Sequence, residues 1–105
     1  MFFHQSHIPP EEAKELIETG KAVLLDVREA DEFRNTHIKG AVTLPLGDMP
    51  GNLALLPDKG KTYIVYCQSG HRSARAKQIM EGNGYRDIRD LGGIFVWPYE
   101  VEHAE

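Results

Sequence analysis

Two short apolar runs constrain this chain more than anything else in it: "AVLLDV" at 22–27 and "TYIVYC" at 62–67. Neither alternates with polar residues, so neither suits a strand with one wet face. Continuous runs of this length, rich in β-branched and aromatic residues, fit strands covered on both faces, as in a parallel sheet. Parallel neighbours need long crossovers, and helix-like segments surround both runs. "SHIPPEEAKELIETGK" predicts a helix. Pro10 suits its first turn, Glu11 and Glu12 its positive end, and Gly20 the position beyond its last turn. Ala13, Leu16 and Ile17 share one face of it. "READEFRNTH" predicts a short polar helix with Phe33 inward, and "RSARAKQIMEGNGY" a helix closing at Gly82 or Gly84.

The remaining elements are shorter. "GAVTLPL" reads as a strand stopped by Pro45, "RDIRDLGG" as a last strand and "MFFHQ" as a short edge strand. "GDMPGNLALLPDKGK" reads as loop with one helical turn near Leu53–Leu56. "IFVWPYEVEHAE" reads as a terminal helical turn followed by a solvated acidic end. Strands alternating with helices predict an α/β fold around a mainly parallel sheet. The 105 residues predict a single domain spanning 1–105.

Charge and cysteine usage exclude several function classes. A formal charge of −4 and a pI near 5.7 argue against a nucleic-acid binder, whose footprint is basic. No apolar run approaches the roughly 20 residues of a membrane-spanning helix. "MFFHQSHIPPEE" lacks the basic start and apolar stretch of a secretory signal. A lone cysteine makes no internal disulfide, which points to a reducing, cytoplasmic setting.

That cysteine, Cys67, sits where the second apolar run stops and a helix begins. Ligands of open α/β sheets bind beyond the carboxyl ends of strands. A helix start offers unpaired N–H groups and about half a positive charge, which favours a thiolate. Within "QSGH", Gly70 permits the positive φ that lets successive N–H groups converge as an anion nest. Arg72 and Arg75, three apart on the helix, add positive charge, with Arg75 the further from the loop. Set against this, a lone cysteine is more often a small buried hydrophobe than a nucleophile. The residues by themselves leave both readings open.

At these residues the chain resembles the rhodanese family, over about Ile8 to Trp97. "LLDVREADEF" is similar to the family's Asp-x-Arg strand end and following Glu-Phe helix, and "HIKGAVTLPL" to its His-Ile-x-Gly-Ala segment. "YCQSGHRS" resembles its active-site loop, and "LGGIFVW" its Leu-Gly-Gly segment with a later tryptophan. Thr36 departs from the family's common glycine before His37, which is expected to alter only a turn. The resemblance implies a doubly wound rhodanese-like domain with a mainly parallel five-stranded sheet flanked by helices. It also implies a sulfurtransferase in which Cys67 takes sulfane sulfur from a donor such as thiosulfate and holds it as a persulfide. Cyanide, a thiol or a carrier protein then accepts the sulfur. The loop Gln68, Ser69, Gly70, His71 and Arg72 would cradle the persulfide, supported by Ser73, and no metal or cofactor is called for.

Other polar residues carry plainer readings. Asp26 and Arg28 at the first strand's end read as an architectural ion pair sooner than as substrate contacts. His37 reads as a turn-holding histidine, not a general base. His4 and His7 lack a third ligand for a metal. His71 either tunes the charge near Cys67 or faces solvent. Trp97 and Phe95 cover either the site or the core, with the core as the default. The competing enzyme class is a phosphatase or arsenate reductase on the same fold. Relatives of that kind separate the cysteine and arginine by five residues, whereas four lie between Cys67 and Arg72. A third reading is a sulfur-relay or regulatory binding module; regulatory rhodanese-like domains usually lack the cysteine kept here.

Overall fold

The computed structural model describes residues 7–103. Helix α1 (Pro10–Glu18) starts on its proline, with Glu11 and Glu12 in the first turn, and ends before Gly20 at φ +74°. Strand β1 (Ala22–Asp26) follows, then α2 (Ala30–Asn35), β2 (His37–Ile38) and β3 (Val42–Thr43). Two 3-10 turns, Leu46–Asp48 and Gly51–Leu55, fill the expected loop, so the helical turn falls slightly earlier than the sequence suggests. Strand β4 (Thr62–Cys67), α3 (His71–Gly82) and β5 (Asp87–Gly93) come next. A 3-10 turn, Ile94–Val96, and β6 (Val101–Glu102) close the chain.

Among the described residues the main sheet has four strands in the order β3-β1-β4-β5, all parallel. The candidate edge strand at 1–5 lies outside the described residues. The two apolar runs of the sequence, β1 and β4, are the central pair. Their side chains divide between two cores, which is why the runs do not alternate with polar residues. Leu25, Tyr63, Val65 and Cys67 pack on one face with Ala76 and Met80 of α3. Ala22, Leu24, Ile64 and Tyr66 pack on the other with Ala13 of α1 and Ile38. Helices thus cover both faces, the doubly wound arrangement. Each fully buried aliphatic side chain contributes about 1.5–3 kcal/mol.

The acidic tail departs from expectation. Val101 and Glu102 remain exposed, but they pair antiparallel with Ile38 and His37 instead of standing free in solvent. The backbone groups of a two-residue strand find partners more readily on a neighbouring segment than in an isolated turn.

Strand order also positions the site. From β1 the chain moves outward to β3, then crosses back over β1 to β4 on its other side. The crevice beyond the carboxyl ends of β1 and β4 is therefore a topological switch point, where ligands of such sheets bind. Arg28 and Cys67 lie at those two ends.

Candidate active site

The loop after β4 turns on Gly70, which caps α3 at φ +100° and ψ −15°. A side chain there would be strained by the backbone, although a Cβ would meet nothing nearer than Gly92 at 3.9 Å. The turn aims two amides at the cysteine. Gly70 N–H donates to Cys67 Sγ at 3.0 Å and Ser73 N–H donates at 3.3 Å. Ser73 is itself buried, and its hydroxyl donates to the Gly70 carbonyl at 3.1 Å, bracing the turn. Cys67 is fully buried, so the small-hydrophobe and anion-nest readings describe the same residue. Its sulfur packs in the core and faces N–H donors at once.

Gly93 on β5 pairs with Cys67 and must be glycine. A Cβ there would fall 2.7 Å from the Gln68 carbonyl and 2.3 Å from the Phe95 ring. Phe95 therefore lies against the strand beside the loop and is 75% exposed, outside the core expected for it. Trp97 is partly buried and packs against the core cluster that includes Ile8 and Ile38.

The end of β1 supports the loop from beneath. Asp26 accepts from Arg28 Nε at 3.0 Å and Nη2 at 2.7 Å, from the Arg28 amide at 3.0 Å, and from the Tyr66 hydroxyl at 2.6 Å. The Tyr66 oxygen accepts from Ile38 N–H at 3.0 Å. Burial, with the Asp26 hydrogen bond second, pushes the Tyr66 hydroxyl far above its ordinary range, so it stays a donor. Arg28 then reaches across to the Gln68 side-chain oxygen at 3.2 Å and to the Thr36 carbonyl. Asp26 and Arg28 thus form a buried ion pair that also props the loop.

Arg72 faces a partner the sequence reading missed. Its Nη1 and Nη2 donate to Glu32 Oε1 and Oε2 at 2.7 and 3.1 Å. The same Glu32 closes the capping box of α2, accepting from the Glu29 amide at 3.0 Å. Hydrogen bonding from Arg72 holds the Glu32 carboxyl down at about 2. Glu29 is not among the usual N-cap residues, so neither this box nor the 40-residue link to Arg72 was readable from the sequence. His71 is exposed, with Ser69 Oγ 3.5 Å from its Nδ1. Arg75 is exposed on the helix beside Gln78, away from the sulfur. His37 stacks on Phe33 at 3.9 Å, and its Nδ1 lies 2.9 Å from the Phe33 carbonyl, which is the turn-holding role.

A loop of amides converging on a thiol at a sheet switch point can stabilise negative charge on sulfur. The rhodanese-like domain model matches residues 3–99. The thiosulfate sulfurtransferase PspE of Escherichia coli is 35% identical over 71 residues, covering 67% of this chain and 68% of its own. The thiosulfate sulfurtransferase GlpE of Stutzerimonas stutzeri is 35% identical over 103 residues, covering 93% of each chain. A structure described as rhodanese with anions from E. coli superposes with a TM-score of 0.71 at 29% identity, over 78% of this chain and 98% of that one. With the fold, the loop and the matched span in agreement, this chain belongs to the family of rhodanese-like domains.

Proposed function

We propose that the protein is a sulfurtransferase that carries sulfane sulfur as a persulfide on Cys67. The observation that supports this most is the pair of amides, Gly70 and Ser73, directed at Cys67 Sγ. The thiolate attacks the sulfane sulfur of a donor such as thiosulfate. A new S–S bond forms on Cys67, the donor's own S–S bond breaks, and sulfite leaves with the electron pair. The persulfide retains one negative charge, and the Gly70 and Ser73 amides are N–H donors that would stabilise it. Cyanide or a thiol then attacks the terminal sulfur and carries it off, restoring the thiolate. The names of PspE and GlpE make thiosulfate the first donor to test. A lone thiol with no disulfide partner suits a reducing cytoplasm, and a protein thiol is a fitting acceptor there.

Intact mass tests the proposal. Thiosulfate is expected to add one sulfur atom to the protein, and cyanide to remove it as thiocyanate. Cys67→Ser is expected to lose both steps while keeping the wild-type circular dichroism. Donor-dependent thiocyanate release by the serine variant would refute the assignment.

A further inference from the structure

The charge around the loop bears on which donors it accepts. An arginine behind a nucleophilic cysteine reads as an anchor for an anionic donor. Here both arginines near the loop are already engaged. Arg28 is forked onto Asp26, and Arg72 is forked onto Glu32 with both terminal nitrogens. Glu29 adds a further carboxylate within electrostatic reach of Arg72. Two cations therefore face three carboxylates. The remaining positive potential comes from the loop amides and the start of α3.

The two pairs differ in how easily a donor could break them. The Asp26 and Arg28 side chains are 0% and 4% exposed, whereas Glu32 and Arg72 are 29% and 35% exposed. Water reaches the second pair and not the first, so an incoming oxyanion can compete for Arg72, but it must displace the two-pronged Glu32 contact to do so. We propose that Glu32 is a positioning residue that acts through Arg72 to set the donor preference of the site, disfavouring dianionic sulfur donors relative to donors of lower charge. The inference rests on the sulfurtransferase reading and adds the charge class of the donor to it.

Thiosulfate and benzenethiosulfonate make the test pair. Each presents a sulfane sulfur on a sulfonyl-type sulfur, but the first is a dianion and the second a monoanion. Persulfide formation is followed by intact mass over a range of donor concentrations. Glu32→Gln keeps an oxygen to accept from the Glu29 amide and removes the charge. It is expected to raise kcat/KM about fivefold for thiosulfate and about twofold for benzenethiosulfonate, mainly through KM, because the freed Arg72 charge attracts a dianion more than a monoanion across a partly solvated gap. The change in the ratio should shrink as salt is added. Arg72→Ala leaves Glu32 uncompensated and should shift the ratio the other way. The double variant, which restores neutrality, should return it close to wild type. Such a rescue is not expected from a purely structural role in capping α2. Wild-type transfer with an unchanged donor ratio in Glu32→Gln, or an equal loss with both donors, would overturn the inference alone. Failure of the wild-type protein to take sulfur from either donor would overturn the sulfurtransferase reading and the inference with it.

Discussion

Arg28 and Arg72 both reach the Cys67 loop, and each is forked onto a carboxylate, but the surroundings of the two pairs are opposite. Arg28 and Asp26 are two residues apart, sealed from water and tied to the Tyr66 hydroxyl, the Thr36 carbonyl and Gln68. Arg72 and Glu32 are 40 residues apart, on two helices, with about a third of each side chain in solvent. Desolvated charges are costly unless every lone pair and proton is matched, so the inner pair is committed to architecture. The outer pair has water at its edge, so it can open without leaving a charge buried. An arginine beside a reactive loop therefore says little about its role until its partner and its exposure are known.

The largest expected contrast comes from breaking the inner pair. Asp26→Ala strands the Arg28 charge in the interior and should cost about 3–5 kcal/mol of folding stability, read from chemical denaturation. A cost below about 1 kcal/mol would mean that the pair is not sealed as described. Tyr66→Phe is milder. It removes a donor from Asp26 and leaves Ile38 N–H without its acceptor, for a loss of about 1–3 kcal/mol. Donor preference should not change in that variant, because the outer pair is untouched.

The smallest effect concerns the outer pair and depends on pH. Glu32 is held at about 2 in the folded protein, below its ordinary value of 4.5, chiefly by hydrogen bonding from Arg72. Its stabilisation is therefore fully present above about pH 4.5 and is lost as pH falls toward 2. Glu32→Gln should be less stable than wild type by about 1 kcal/mol at neutral pH, well under the full value of the shift, because solvent screens a pair about a third exposed. The two proteins should converge in acid. A gap of undiminished size at pH 2 would point to the α2 cap instead of the ion pair as its source.

Much of this was legible in the sequence, and for local reasons. The runs at 22–27 and 62–67 became the central strands because a strand buried on both faces has little room for polar side chains. Pro10 and Gly20 bracket α1, and α3 closes at Gly82, because capping depends on a few adjacent residues. Gly70 and the strand-to-helix step at Cys67 were enough to anticipate an amide nest. For Phe95 the default of burial rests on hydrophobicity alone, and the other reading, a ring beside the site, is where the structure puts it, against Gly93 and exposed. The pairing of the tail with His37–Ile38 escaped notice because two-residue strands carry no periodicity.

What the sequence determined by itself was the set of elements, their order and the place of the thiol at a strand end, all governed by side chains within a few positions of one another. Only the tertiary structure decided the electrostatic character of the site. Folding brings Glu32 of α2 to Arg72 of α3 and sets Tyr66 under Asp26, and no local rule links residues 40 apart. A charge's effect depends on its distance to other charges and on how much water lies between them, and both quantities exist only once the chain is packed.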